Sequence, residues 1–325
     1  MVEKRNLGGS GLSIAPLVLG GNVFGWTADE PTSFDVLDAF VAGGGTMIDT
    51  ADVYSAWIPG HKGGESETVI GNWLKRRGRR DDVQIATKVG MLGRKGRDEV
   101  ALSAAEIEHA VEASLRRLQT DYIDLYFAHR DDATTPLEET LGAFDRLVKA
   151  GNVRAIGASN YTADRLAEAL VVSDGNGFAR YTVLQPCYNL LDRSDFEGAL
   201  QKLCLNEHIG VIPYFGLASG FLTGKYRREA DAENKPRGYR VKNYFNDRGW
   251  TVLEAMDGIA EETGASLPQI ALAWVAAQPG LTAPIASATS VAQVEELVDA
   301  IGLTLSADQI AELDAAGAEA AGAAA

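Results

Sequence analysis

Cysteine is nearly absent: Cys187 and Cys204 are the only two in 325 residues. Two cysteines so spaced cannot build a disulfide framework or a zinc site, which points to a reducing compartment. Lysine and arginine stop at Arg248, and residues 249–325 carry 11 acids and no base. The formal net charge of -15 makes nucleic acid an unsuitable partner. Long apolar runs are missing too, because the last uncharged stretch is broken by Pro279, Gly280 and Pro284, so no membrane span is expected. The start, Met1-Val2-Glu3-Lys4-Arg5-Asn6, is polar and offers no secretory h-region. Neither nucleotide signature occurs: no G-x-G-x-x-G exists, and Gly224-Lys225 is followed by Tyr226 rather than Ser or Thr. These absences describe a soluble, cytoplasmic protein with no metal cluster and no open dinucleotide fold.

What is present is alternation. Eight short β-rich runs are expected at Leu17–Gly20, Thr46–Ile48, Val83–Thr87, Ile123–Ala128, Val153–Gly157, Thr182–Leu184, Gly210–Pro213 and Thr282–Ile285. Helical patterns lie between them. Ser103–Leu118 is the clearest, with Ser103 and Glu106 as a capping box and Ile107, Val111, Leu115 and Leu118 at helical spacing. Further boxes open at Ser266/Gln269, Ser290/Gln293 and Ser306/Gln309. Strands alternating with helices imply parallel βαβ units, and eight of them over roughly 270 residues match a (β/α)8 TIM barrel. The expected architecture is one α/β domain over 1–325. An N-terminal β-hairpin (1–15) plugs the bottom, and extra helices follow at the C-terminus. A long rim loop spans 227–250, and the tail 315–325 frays.

In such a barrel the chemistry sits just beyond the C-terminal ends of the strands. That rule selects Asp49 and Tyr54 after the second strand, Lys88 after the third and His129 after the fourth. Each alone has an ordinary explanation: a turn cap, a solvated rim residue, a loop histidine. Together, from three adjacent strand ends, they suit proton transfer to a carbonyl oxygen becoming an alkoxide. A phenol is a weak acid, and a neighbouring ammonium is expected to lower its pKa while a carboxylate holds the lysine. Without a metal cluster, a hydride would have to come from an organic cofactor.

The motifs MIDTADVY with GESETVIGNWL, IATKVG, DLYFAHRDD, IGASNY, LQPCYNLLDR, PYFGLASGFLTGKY and PIASATSVAQVEEL stand in this order. By them the chain resembles the aldo-keto reductases, from the N-terminal hairpin to about Leu313. The resemblance implies NAD(P)H-dependent reduction of an aldehyde or ketone, with Tyr54 as proton donor, Lys88 and Asp49 tuning it and His129 orienting the carbonyl. It also implies that Ser159, Asn160 and Gln185 hold the nicotinamide carboxamide and that Tyr214 stacks on its ring. Leu217, Ser219, Gly220 and Leu222 through Lys225 would clasp the pyrophosphate, and Phe215 would also contact the cofactor. Gly20, Gly21 and Asn22 would line the nicotinamide ribose, with Asp49 beside them.

One departure bears on the cofactor. Family members that use NADPH usually place Arg or Lys after the eighth strand, whereas Ser287 to Glu296, including Thr289, Gln293 and Glu295, contains none. Hydroxyls at a helix N-terminus still bind phosphate. However, lost charge-assisted bonds cost about 1–3 kcal/mol each, and Glu295 or Glu296 suits a free 2′-hydroxyl. Dual use of NADP(H) and NAD(H), or a shift toward NADH, is expected. The substrate wall is expected from Val23, Phe24, Trp26, Trp57 and His61, with Tyr54 and His129 at its base and Tyr239, Tyr244 and Phe245 from the rim loop. Two other readings compete. One is a barrel aldolase or isomerase using Lys88 as a Schiff-base nucleophile; the other is a regulatory subunit whose nicotinamide senses redox state and whose turnover is slow.

Overall fold

The computed structural model describes residues 2–92, 101–233, 235 and 238–319. A hairpin of β1 (Arg5–Asn6) and β2 (Ser13–Ile14) precedes eight parallel strands. These are β3 (Val18–Gly20), β4 (Met47–Asp49), β5 (Gln84–Val89), β6 (Ile123–Ala128), β7 (Val153–Ser159), β8 (Tyr181–Gln185), β9 (Gly210–Val211) and β10 (Ile285–Ala286). Their order is β10-β3-β4-β5-β6-β7-β8-β9. The two ends of that order meet, because Thr282 N–H donates to the Val211 carbonyl at 2.8 Å and Ile285 N–H to that of Pro213 at 2.9 Å. The fold is the expected (β/α)8 barrel.

The last strand corrects the expectation of Thr282–Ile285. Pro284 has no N–H to give, so regular pairing with β3 begins only at Ile285, opposite Val18.

The outer layer comprises α1 (Glu30–Ala42), α2 (Glu65–Arg77), α3 (Ala104–Leu118), α4 (Leu137–Lys149), α5 (Ala163–Asn176), α6 (Ala199–Asn206), α7 (Gly238–Val241), α8 (Asp247–Thr263), α9 (Leu267–Ala277), α10 (Val291–Asp299) and α11 (Ala307–Ala316). The cap predicted at Ser103 forms, its hydroxyl accepting from Glu106 N–H. At Ser290 only half the expected box forms: its hydroxyl caps α10, but the Gln293 side chain turns to the Thr289 N–H and hydroxyl. No helix among the described residues is long and apolar enough to cross a membrane.

Strand alternation separates two cores. Inside the barrel, Met47, Ala86, Leu125 and Phe127 pack on Leu7, Leu12 and Ile14 of the hairpin, which closes the bottom. Outside, Ile48, Ile85 and Tyr126 meet the helices. Two-residue periodicity then aims Asp49 inward after Met47, and Lys88 inward after Ala86. The hairpin seats tightly: Gly8 has φ +53°, and a Cβ there would lie 2.1 Å from Gly210 N.

The 227–250 loop is organised as a 3-10 turn at Glu229–Ala232, then α7, then a second 3-10 turn at Lys242–Tyr244. Of the tail expected to fray, Ala315 and Ala316 end α11, and Arg248 pairs with Glu319 at 3.5 Å. Residues 320–325 lie outside those described.

Candidate active site

Three adjacent strand ends, those of β4, β5 and β6, bring the four catalytic candidates together. Lys88 Nζ donates to Asp49 Oδ2 at 2.7 Å, to the Thr50 carbonyl at 2.7 Å and to Tyr54 Oη at 2.9 Å. Those three acceptors use all three ammonium hydrogens. Lys88 is fully buried and Asp49 nearly so. A buried ion pair is tolerable only when its remaining hydrogen-bonding capacity is met, and Gln185 meets it, donating Nε2 to Asp49 Oδ1 at 2.9 Å. Tyr54 Oη also donates to Asp49 Oδ2 at 3.4 Å. The His129 ring stands edge-on to Tyr54, 6.0 Å between centroids, and its Nδ1 is buried without a partner among the described residues.

The electrostatics correct one expectation. Lys88 was expected to pull the Tyr54 phenol below its ordinary pKa, yet that pKa stands well above it. Burial is the main cause, and the Asp49 carboxylate adds to it. The carboxylate that holds Lys88 thus faces the phenol as well, and Tyr54 keeps its proton. Burial also lowers the pKa of Lys88, against the pull of Asp49. Burial, then the cations of Lys88 and Arg130, hold His129 well below the usual imidazole range, so it is neutral at pH 7 with one N–H to donate.

The cofactor candidates form a chain from this cluster. Ser159 Oγ donates to the Gln185 carbonyl at 2.9 Å, and Asn160 Nδ2 donates to Ser159 Oγ and to the His129 carbonyl, both at 3.0 Å. Tyr214 Oη donates to Asn160 Oδ1 at 2.7 Å. The turn after β3 meets the turn after β10: Ser287 Oγ donates to Asn22 Oδ1 at 2.6 Å, and a Cβ on Gly20 would sit 2.5 Å from that hydroxyl. Gly21 N–H is tied to the Asp49 carbonyl at 2.7 Å. In the clasp, Phe215, Ala218 and Ser219 all have positive φ, and Gly220 has φ +103°. Three non-glycine residues with positive φ in one short segment make this a strained backbone. Leu222 is buried there, Leu217 half-buried and Lys225 exposed. Thr289 and Gln293 bond each other, and the Glu296 carbonyl accepts from Gln269.

The substrate candidates divide. Trp26 and Trp57 are edge-on at 5.7 Å, Trp57 is edge-on to Tyr54 at 6.1 Å, and Trp57 is 43% exposed. Trp57 thus stands beside the Tyr54 ring, and Trp26 beside Trp57. Phe24 is fully buried and Val23 nearly so; both serve packing. His61 is half-buried with Nδ1 unpartnered among the described residues, and it borders a cavity of about 490 Å³ with Trp57 and Leu92. Tyr239 is exposed, whereas Tyr244 and Phe245 pack on Phe221 of the clasp and Tyr244 Oη donates to Asp192 at 2.6 Å. Those two aromatics brace the clasp from outside.

Sequence reasoning missed what lies beneath. Asp52, Glu67, Thr87 and Tyr126 are buried on the outer side of β5 and β6, and Arg117 reaches in to Glu67. The signal was a third acid in TADVY beside GESET. Asn189 was also missed: it is buried, caps Leu191 and Asp192, and donates to the Phe215 carbonyl at 3.1 Å.

The Aldo/keto reductase family model matches residues 16–318. The chain is 32% identical to "Aldo-keto reductase YhdN" of Bacillus subtilis over 94% of this chain and 89% of that protein. It is 34% identical to "Protein tas" of Escherichia coli over 94% and 95%. It is also 33% identical to "Probable voltage-gated potassium channel subunit beta" of Arabidopsis thaliana over 92% and 91%. The chain belongs to the aldo/keto reductase family.

Proposed function

We propose that the protein reduces an aldehyde or ketone to the alcohol, with a nicotinamide as hydride source and Tyr54 as proton donor. The observation that carries this reading is the buried triad in which Lys88 spans Asp49 at 2.7 Å and Tyr54 at 2.9 Å. The remaining residues fit a dinucleotide. Amide and hydroxyl groups of Ser159, Asn160 and Gln185 cluster beside the triad, the glycine turn at Gly20 leaves no room for a side chain, and the strained clasp lies beyond Tyr214. When bound, the nicotinamide supplies hydride to the carbonyl carbon.

The protein's own part is proton and charge management. His129, neutral and with one N–H, orients the carbonyl oxygen. Tyr54 gives its proton to that oxygen as negative charge develops there, and solvent later restores it. Lys88 at 2.9 Å stabilises the phenolate left behind, while Gln185 fixes Asp49 so that the ammonium stays aimed. Tyr54→Phe keeps the ring and removes the proton, so turnover should fall about 100-fold or more with cofactor affinity unchanged; turnover like the wild type would refute the assignment.

The same reading extends to cofactor choice. No base stands between Ser287 and Glu296, and Gln293 is already engaged with Thr289. We therefore assign use of NADH alongside NADPH, read by Trp-fluorescence titration with each; NADPH bound over 100-fold tighter would overturn it. The aldolase alternative is disfavoured because all three Lys88 hydrogens are committed inside the protein. Likeness to proteins named as potassium-channel subunits supports a redox-sensing use of the same site less directly, since other relatives are named as oxidoreductases.

A further inference from the structure

We propose that Asp52 is a positioning residue for the reduction: an uncharged buried carboxyl lets Lys88 back the Tyr54 phenolate, and its ionisation turns reduction down in alkali. The inference rests on the reductase reading above and adds a residue that reading does not use.

Asp52 lies in the turn between β4 and Tyr54, with its N–H donated to the Lys88 carbonyl at 3.2 Å. It is 3% exposed, and its Oδ1 is buried without a hydrogen-bond partner among the described residues. Its neighbour Glu67 is equally buried but fully served, by Thr87 Oγ1 at 2.6 Å and Arg117 Nε at 2.6 Å. The groups facing Asp52 are Glu67 from α2, Arg117 from α3, Lys88 from β5, Tyr126 from β6 and Tyr54 from its own turn. Tyr126 Oη is also buried without a partner among the described residues. The local charges are therefore three acids against two cations, with Lys88 committed to Asp49 and Arg117 to Glu67. Asp52 is the acid left over. Gly63 packs so close that a Cβ there would lie 2.7 Å from the Asp52 carbonyl, which holds the turn in place.

A carboxyl so placed stays protonated far above its usual range, and burial followed by Glu67 pushes its pKa up to about 8. Once Asp52 ionises, its charge acts on the same phenol and ammonium that carry the reaction. It raises the cost of the Tyr54 phenolate, the species formed when the proton leaves for the substrate oxygen.

The test compares wild type with Asp52→Asn, which keeps the shape of the neutral acid. Single-turnover reduction of a reactive aldehyde by prebound cofactor should fall about fivefold between pH 7 and 9.5 in wild type and stay flat in the variant. Glu67→Gln frees Arg117 for Asp52 and should move the fall to lower pH. Two measurements need no turnover. A ¹³C-carboxyl resonance of the unliganded protein should titrate near pH 8 and vanish in Asp52→Asn. Ultraviolet titration, differenced against Tyr54→Phe, should show the Tyr54 phenolate forming at lower pH in Asp52→Asn. Absence of that carboxyl titration overturns the proposal. So does an unmoved Tyr54 titration, or an alkaline fall shared by both proteins. Failure to reduce any carbonyl substrate, with both titrations as expected, overturns the reductase reading and leaves the electrostatic link between Asp52 and Tyr54 standing.

Discussion

The Asp52→Asn substitution should make the protein more stable in alkali while changing little in acid. The folded state holds the Asp52 proton up to about pH 8, whereas an unfolded chain releases it near about pH 3.9. Between those values the native state binds the extra proton, so stability declines as pH rises. Below about pH 4 both states are protonated and nothing is lost; above about pH 8 the full penalty is present. About four pH units at 1.36 kcal/mol each give roughly 5 kcal/mol, an order of magnitude that is a large share of a typical folding stability. Burial justifies using it undiminished, because a side chain 3% exposed has little solvent to screen it. The amide of Asn reproduces the neutral acid and never ionises, so it escapes the whole penalty. Guanidinium unfolding of both proteins at pH 5, 7 and 9, extrapolated linearly, reads the difference directly. The gap between variant and wild type should widen by several kcal/mol from pH 5 to 9; a constant gap, or a wild type that gains on the variant with pH, refutes the reasoning.

Three further outcomes follow from other parts of the structure. Gln293→Arg places a guanidinium at the N-terminal turn of α10, and NADPH affinity by fluorescence titration should rise about tenfold while NADH affinity holds; equal change in both would show that position 293 does not meet the 2′-phosphate. Gly8→Ala forces a Cβ into the Gly210 backbone and should cost about 3 kcal/mol or more by unseating the hairpin. A thermal midpoint within a degree of wild type would show that the plug adapts. Asp124 is fully buried, accepts from Ile85 N–H and pairs with Arg80 and Arg154, both at 2.9 Å. Asp124→Asn should therefore lose about 3 kcal/mol or more in denaturant unfolding, and a neutral result would mean the two arginines stand without it.

The barrel was legible because its signals are local and periodic. Strand alternation needs only near neighbours, and the same two-residue period that buries Met47 and Ala86 inside the barrel carries Asp49 and Lys88 to the rim. What the sequence hid was the balance of charges after folding. Asp49, Asp52 and Glu67 are equivalent letters in a row of acids; their difference arises when Lys88 and Arg117 arrive from distant strands and helices and choose two of the three. The same choice explains why Tyr54 did not behave as a phenol beside an ammonium. A buried lysine brings its own carboxylate, so the field at the phenol is that of a pair, and burial decides the sign. Phe24, Tyr244 and Phe245 illustrate the complementary limit, since an aromatic near a rim reads alike whether it walls a pocket, fills a core or braces a clasp. In the proposed reduction, proton donation by Tyr54 therefore depends on a count no motif contains: two cations for three buried acids, with the third kept silent by its own proton.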